Sequence, residues 1–232
     1  MKNALGKLMA FICLGATALV VFPIFLDSRP WPERLRNIYE ARAYLETGAI
    51  NVVSAIYLGY RAFDTLGETI VLLIAVSGTL TMIGDGYLGS KRFATEFRRL
   101  HSPAEDPLEL IAGKLGLIVL VFGAYVMAFG HLSPGGGFQG GVVVASGLLF
   151  LALGEKGFKT SRLTDPTSLQ KLEAAAFLIL LLAMAAGMMR PKAGGPSGNP
   201  AEYIVFLNVI LGLKVGAGIG LMCVAMIGDL YR

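Results

Sequence analysis

Residues 131–141 read HLSPGGGFQGG, and they separate two apolar stretches that are each suited to crossing a lipid bilayer. Pro134 predicts the end of the preceding helix, while Gly135, Gly136 and Gly137 supply backbone angles that other residues disfavour. Irregular backbone at membrane depth survives only where protein buries it or where it lines an aqueous cavity. The stretch therefore predicts a structural loop at the edge of a membrane.

The glycines continue into the next predicted helix. Gly140 and Gly141 fall in its first turns, where missing side chains permit tight packing between helices. A nucleotide-binding loop is excluded, because no Walker lysine follows the glycines and no strand precedes them. The loop is therefore predicted to be structural.

The composition of the whole chain indicates an integral membrane protein. Its 232 residues are 55% hydrophobic and only 16% charged, and the mean hydropathy is +0.66. A soluble domain carries about 25% charged residues, so these residues cannot cover a water-exposed surface of this size. The net charge of +4 does not indicate a nucleic-acid partner, because most cations lie in loops between apolar stretches, where they orient a membrane protein.

The apolar stretches predict an all-α protein with about six transmembrane helices. The predicted spans cover residues 4–26, 69–83 (extended backward through FDTLGE), 110–129, 137–154, 172–189 and 202–227. Residues 49–60 are apolar but too short to cross alone, and they predict a half-helix before the second span. We divide the chain into a domain with two spans over 1–100 and a domain with four spans over 101–232.

The loop cations give an expected orientation in the cell inner (plasma) membrane. With six spans, one side carries eleven Lys and Arg residues and the other carries seven. The excess predicts that both termini are cytoplasmic. If 49–60 crossed the membrane, everything after it would swap sides, so both topologies stay open.

Asp64, Thr65 and Glu68 are the first candidates for an ion path. The spacing of Asp64 and Glu68 places both carboxylates on one helix face, about one turn apart. Oxygen ligands at the mouth of a span suit a hard cation, and burial or mutual repulsion would suit them to proton transfer. The alternative is that Asp64 caps the helix and Glu68 interacts with its dipole.

Lys214, Lys114 and His131 are the remaining candidates, because ionisable residues within membrane segments are costly. Lys214 is far from any other charge in its span, among glycines that let a neighbouring helix approach closely. Lys214 is therefore a candidate for a proton relay, and its alternative is a structural role at a helix interface. Lys114 lies in the first turns of its helix and has snorkelling to the interface as its alternative. His131 is a candidate because histidine side chains suit proton transfer, and its alternative is a hydrogen-bonding anchor.

No catalytic or metal-binding pattern is visible in the sequence. The histidines, His101 and His131, have no cysteine or carboxylate arrangement typical of a metal enzyme or a nucleophilic triad. Cys13 and Cys223 lie in apolar segments and have the character of packing residues. We therefore expect no intrinsic catalytic site, no firmly bound metal and no cofactor in this chain.

Three stretches resemble known antiporter subunits. GHLSPGGGFQGGVVVASGLLFLALG and NVILGLKVGAGIGL resemble the B subunit of Mrp-type multisubunit Na⁺/H⁺ antiporters (MnhB-like). NVVSAIYLGYRAFDTLGETIVLLIAVSG is similar to the C-terminal domain of the antiporter A subunit (MbhE-like). The resemblance covers most of the chain outside the connecting loops, and both signatures are long.

The resemblance implies a membrane subunit of a cation/proton-translocating module, with Na⁺ as the transported ion. In the family, the carboxylates of FDTLGE are implicated in the cation path, which carries over to Asp64 and Glu68. The MbhE-like domain is here fused ahead of a B-like unit, instead of ending a very large A subunit. Detached versions of this domain are familiar from membrane-bound hydrogenase and sulfur-reducing complexes, so we expect a redox-driven assembly with iron–sulfur clusters in partner subunits.

Two alternatives remain at this stage. The chain could serve the same role in a stand-alone Mrp antiporter, or it could be a scaffold whose charges only pin interfaces between subunits. An independent carrier fits less well, because the sequence has no detectable internal repeat of the kind that supports alternating access. Neutralising Asp64 or Glu68 separates an ion-translocating subunit from a scaffold. A translocating subunit should lose transport while the complex stays assembled, whereas a scaffold should lose assembly.

Overall fold

The computed structural model describes residue 15 and residues 33–83, 107–154, 161–189 and 199–230. The helices are α1 (Glu33–Thr47), α2 (Val52–Ser54), a π-helical stretch (Ala55–Tyr60), α3 (Ala62–Ile83), α4 (Pro107–Ala128), α5 (Gly137–Leu153), α6 (Ser161–Thr164), α7 (Pro166–Met189) and α8 (Pro200–Leu230). The all-α prediction is confirmed for the described residues, among which there is no strand. The contacts separate the chain into Met1–Ile38 and Tyr39–Arg232, and helices α2 to α8 all belong to the second unit.

Among the residues that the structure describes, four helices are long and apolar enough to cross a membrane: Ala62–Ile83, Ile111–Ala128, Pro166–Gly187 and Pro200–Met226. Gly137–Leu153 is a shorter apolar helix. These helices correspond to five of the six predicted spans, while the predicted span over 4–26 lies outside the described residues. The predicted half-helix is present as α2 and the π-helical stretch, which together are too short to cross a bilayer.

Helix α8 is the most buried of the four long helices, because glycines let its neighbours approach on several faces. A Cβ atom on Gly216 would lie 2.9 Å from Val144 of α5, and one on Gly218 would lie 3.2 Å from Val76 of α3. A methyl group at either position would force its neighbour to shift, so these glycines allow close packing on two faces of α8. Helix α8 therefore occupies the centre of the described bundle.

The relative directions of the helices follow from these contacts. Gly137 and Gly141 of α5 meet Leu211 and Val215 of α8, in increasing order along both helices, so α5 and α8 run parallel. Helix α7 runs the opposite way, because its C-terminal part meets the N-terminal part of α8, where the Tyr203 hydroxyl donates to the carbonyl oxygen of Ala183 at 2.9 Å. The glycine loop and the start of α7 therefore lie at opposite ends of the bundle.

Helix α7 begins at an aspartate–proline pair that favours helix initiation. Asp165 is the N-cap residue, and its Oδ2 accepts hydrogen bonds from the Ser168 backbone N–H at 2.9 Å and the Ser168 hydroxyl at 2.8 Å. Pro166 occupies the first helical position, where its missing N–H has no intrahelical partner to lose. Partial burial of Asp165 favours its protonated form, but the hydrogen bonds from Thr167 and Ser168 outweigh it and lower its pKa.

The glycine loop, residues 129–136, holds α2 against the end of α4. The Asn51 amide nitrogen donates to the carbonyl oxygens of Gly130 and Ser133, at 2.8 and 2.9 Å. The Ser54 hydroxyl donates to the Gly130 carbonyl at 2.5 Å. These bonds satisfy backbone carbonyl groups of the loop that follows α4, so the half-helix is fixed to the loop by polar contacts.

Positive φ angles at the loop explain its glycines. Gly135 and Gly136 have φ angles of 138° and 145°, which side-chain-bearing residues avoid. A Cβ atom on Gly136 would also overlap the Tyr57 hydroxyl of the π-helical stretch. Gly135 and Gly136 are therefore both required for their backbone angles. Gly136 is also required because it has no side chain.

Candidate functional site

Lys214 is completely buried, at 0% exposure, in the middle of α8. Its Nζ donates to the carbonyl oxygen of Thr69 on α3 at 3.0 Å. The same atom lies 3.3 Å from Oε1 of Glu173 on α7, whose residue is 3% exposed. A buried charge needs a counter-charge and hydrogen bonds, and Lys214 has both. Three helices therefore meet at one ion pair inside the bundle.

Glu173 was not among the residues predicted from the sequence, although a signal for it exists. It lies near the start of the fifth predicted span, where a charge is naturally read as the polar end of a helix. However, it shares one helix face with Leu169, Ala176, Leu180 and Met184, and all four are buried. Extending the apolar face backward at helical spacing would have placed Glu173 on the interior side of α7.

A glycine on α8 makes room for the Glu173 carboxylate. A Cβ atom on Gly218 would lie 2.8 Å from Glu173 Oε1 and 3.2 Å from Val76 Cγ2. Gly218 is one turn beyond Lys214, so the helix carries its charge and the space for its partner on the same face. The glycines around Lys214 thus shape the charge site as well as the packing.

A second polar cluster joins the π-helical stretch, α5 and α8. The Tyr57 hydroxyl donates to Asn208 Oδ1 at 2.5 Å. The backbone N–H of Gly137, the first residue of α5, donates to the same Oδ1 at 2.8 Å and approaches the Tyr57 oxygen at 3.3 Å. Asn208, which is fully buried, therefore satisfies the start of α5 from another helix.

Of the three candidates in FDTLGE, only Thr65 is buried in the bundle. Thr65 is 1% exposed, and its hydroxyl donates to the backbone carbonyl of Tyr57. Asp64 is exposed and forms an ion pair with Arg61. Glu68 is exposed on the outer side of α3. The structure therefore does not bring Asp64 and Glu68 to the Lys214 site, and these carboxylates face outward from the described bundle.

His131 and Lys114 also lie away from the Lys214 site. His131 is half-buried in the glycine loop, with Nδ1 3.1 Å from the Ala128 carbonyl oxygen, and its own carbonyl accepts a hydrogen bond from the Asn51 N–H at 2.9 Å. Lys114 is exposed in the second turn of α4. Within the described residues, no group of three or more His, Cys, Asp or Glu side chains is placed to hold a metal ion.

The fold and the site together define a multi-pass helical membrane protein with an ion pair buried between its helices. Residues 107–221 match the family model of a domain related to the MnhB subunit of Na⁺/H⁺ antiporters. Residues 2–84 match the family model of MbhE, the E subunit of MBH. Two parts of the chain therefore match a MnhB-related model and the MbhE model, as the sequence resemblance predicted.

Several known proteins are similar to this chain. An uncharacterised protein of Methanocaldococcus jannaschii is 29% identical over 197 residues, which is 73% of this chain and 74% of that protein. A probable K⁺/H⁺ antiporter A/B subunit of Rhizobium meliloti is 25% identical over 166 residues, or 61% of this chain but only 16% of the relative. This chain therefore corresponds to a small part of that antiporter protein.

One solved structure shares the fold. A chain in the membrane-bound sulfane sulfur reductase, described as an archaeal respiratory membrane complex, superposes with a TM-score of 0.65 at 22% identity. The superposition covers 96% of this chain and 98% of the other. At this level of identity the likeness establishes the architecture alone.

Proposed function

We propose that this chain is a membrane subunit of a cation/proton-translocating module, and that Glu173 and Lys214 form an ion-responsive site within it. The observation that carries the proposal is the ion pair at 3.3 Å between two side chains that are 0% and 4% exposed. Such pairs are expensive to bury, and apolar residues of similar volume often give equal or greater stability. Ionisable groups kept inside membrane bundles commonly mark ion or proton pathways.

The match to a family model supports the same function. The matching model over residues 107–221 describes a domain related to an Na⁺/H⁺ antiporter subunit. Helix α3 carries exposed carboxylates, which a lipid surface would disfavour. We infer that Glu68 and the neighbouring Asp64 face other membrane subunits, with which they form the cation route.

We further propose that the chain belongs to a redox-driven complex of the hydrogenase or sulfur-reductase type, with Na⁺ as the moved cation and iron–sulfur clusters in partner subunits. Support comes from the MbhE match over residues 2–84 and from the fold shared with a chain of a respiratory membrane complex. A cell-membrane location with both termini cytoplasmic completes the proposal, and it rests on the loop charges.

Gentle purification of a tagged chain, followed by mass spectrometry of the proteins that accompany it, tests membership of such a module. We expect other antiporter-like membrane subunits together with redox subunits. Antiporter-like subunits alone would contradict the redox-driven assignment and keep the translocating module. A chain purified intact and alone would contradict the whole assembly.

Transport in inverted membrane vesicles then tests the site. Glu173→Gln keeps the size of the side chain and removes its titratable group, so we expect Na⁺-dependent proton movement to fall while the complex stays assembled. Lys171→Met is the matched control, because Lys171 is exposed on the same helix. A Glu173→Gln complex that assembles normally and transports like the control would favour the scaffold alternative.

A further inference from the structure

One face of α3 has no partner within the described bundle. Val71 and Ile74 are 67% and 66% exposed, and exposed positions recur along the helix at alternating spacings of three and four residues. We call this line the outer seam of α3, and its members are Asp64, Gly67, Val71, Ile74, Gly78 and Thr81. A repeat of this kind averages about 3.5 residues, which keeps the same faces of two packed helices in contact. The outer seam therefore has the periodicity of a helix–helix interface.

Two glycines on the outer seam leave open space. A Cβ atom on Gly67 or Gly78 would meet no atom within 4 Å. By contrast, every glycine of α4, α5 and α7 lies against a neighbouring element of the chain. Glycine weakens the interior of a helix, and membrane helices use it where two backbones approach closely. Gly67 and Gly78 therefore have the form of a helix contact whose second helix is not part of the described bundle.

Glu68 adds a charge beside the outer seam. It is exposed directly after Gly67, and no ion pair or hydrogen bond from the described residues reaches its carboxylate. It lies six residues beyond Ala62, the start of α3, and so about 9 Å along the helix. An exposed lysine such as Lys114 can reach the membrane surface on its long stem, but glutamate has a much shorter stem. Lipid is therefore a poor neighbour for Glu68, because a charge in hydrocarbon is costly.

The exposed faces of other long helices have a different character. On α4 the exposed residues include Leu117, Ile118 and Phe122, and on α7 they include Leu178 and Leu182. Lipid tails are as apolar as leucine, so faces of this kind suit contact with the bilayer. Open glycines and a carboxylate well inside a span are instead found together on α3. The outer seam is therefore suited to contact with protein.

Two sources of that protein within the chain itself fit poorly. A second copy related by a two-fold axis would place Glu68 at the same level as its own symmetry mate, so two like charges would meet. The predicted span over 4–26 carries its charge at Lys7, near its start. In the predicted topology that span ends on the side where α3 begins, which places Lys7 at the opposite membrane face from Glu68. A positive charge opposite Glu68 must therefore come from another subunit.

We propose that the outer seam of α3 is the docking surface for a transmembrane helix of another membrane subunit, and that this helix places a lysine or arginine opposite Glu68. Gly67 and Gly78 let the two backbones approach closely, while the basic side chain provides the counter-charge that the described bundle lacks. This inference rests on the proposed function, in which the chain is one subunit of a translocating module.

Photochemical cross-linking in the purified complex identifies what covers the outer seam. Benzoylphenylalanine replaces Phe63, which is 71% exposed one turn before Gly67, or Phe122 of α4, which is 56% exposed and serves as the matched control. Mass spectrometry then identifies the adducts. We expect the probe at position 63 to join a transmembrane segment of another membrane subunit and the probe at position 122 to join lipid. A probe at position 63 that joins lipid, a second copy or residues 4–26 overturns the proposal.

Filling the outer seam tests the close approach of the two helices. Gly78→Leu adds a side chain where this chain leaves open space, so we expect the chain itself to fold normally. Ala124→Leu is the matched control, because Ala124 is exposed on α4. Gly78→Leu should lower co-purification of the cross-linked subunit about fivefold or more, whereas Ala124→Leu should match the wild type. Equal co-purification of the two variants would contradict the docking surface.

Charge exchange tests the basic partner. Glu68→Lys should lower co-purification of the cross-linked subunit, and replacement of the basic residue on its cross-linked helix by glutamate should restore it. Glu68→Gln keeps an oxygen acceptor and should stay assembled. A cross-linked helix without a lysine or arginine overturns the proposal. A chain that purifies alone contradicts the module itself, whereas a lipid adduct at position 63 within an intact complex contradicts only the docking surface.

Discussion

Breaking the ion pair between Lys214 and Glu173 should have a cost that can be worked out from the structure. At 3.3 Å and an effective dielectric constant of about 20, two unit charges attract by roughly 5 kcal/mol. Loss of one partner leaves the other charge buried without compensation, which typically destabilises a protein by about 3–5 kcal/mol. We therefore expect Lys214→Met to lower the free energy of unfolding by an amount in this range.

Neutralisation of the remaining group sets an upper limit on that cost. An ordinary glutamic acid titrates at a pKa of about 4.3, so protonating it at pH 7 requires roughly 3.7 kcal/mol, and at pH 5 only about 1 kcal/mol. The penalty of Lys214→Met should therefore shrink as the pH falls. The penalty of Glu173→Gln should shrink as the pH rises, because the orphaned lysine is then easier to deprotonate.

The assay is unfolding of the purified protein in mixed detergent micelles, followed for both single variants, the double variant and Lys171→Met. The double variant Lys214→Met/Glu173→Gln leaves no buried charge, so we expect it to lie within about 2 kcal/mol of the wild type. The coupling energy in this double-mutant cycle should then be about 3 kcal/mol or more. Additive single effects, or single effects as small as that of exposed Lys171, would refute the reasoning.

Three further predictions concern other parts of the chain. Gly136→Ala should destabilise the protein by about 1–3 kcal/mol in the same unfolding assay. The reason is that Gly136 has a φ angle of 145° and that a Cβ atom there would overlap the Tyr57 hydroxyl. A neutral effect would contradict the loop geometry. Asp165→Ala should cost about 1 kcal/mol as the loss of a helix cap. Because the folded-state pKa of Asp165 is lowered, this stabilisation should be present above the ordinary carboxyl pKa of about 3.9 and disappear as the pH falls through the lower folded value; a pH-independent difference between wild type and variant would argue against it. Glu68→Gln should change stability by less than about 0.5 kcal/mol, because the side chain is exposed, and should reduce Na⁺-dependent transport in assembled vesicles; loss of assembly instead would favour a purely structural role.

The sequence predicted the helices and several of their interior positions for physical reasons that apply within single segments. Apolar length located the spans, and proline and glycine located the loop between α4 and α5. Lys214 stood out because no other charge lies near it in its span. Each of these inferences needs only local composition and the length of a helix.

The partners of these residues depend on how helices meet, which local patterns do not determine. The hydrogen bond between Tyr57 and Asn208 joins residues 151 positions apart. Glu173 was overlooked because a charge near the end of a span ordinarily reaches the membrane surface, whereas here α7 turns it toward Gly218. Asp64 and Glu68 were expected on one face, but helical spacing alone could not tell whether that face points inward or outward.

The central claim is that the ion pair between Glu173 and Lys214 serves ion translocation and not only packing. The most direct measurement is Na⁺-dependent proton movement in vesicles that contain the assembled complex with the Lys214→Met/Glu173→Gln double variant. This variant removes the charges together and so avoids the cost of an unpaired buried group. We predict normal assembly with transport lost. Normal assembly with transport equal to that of the wild type would contradict the account and leave the ion pair as a structural link between helices.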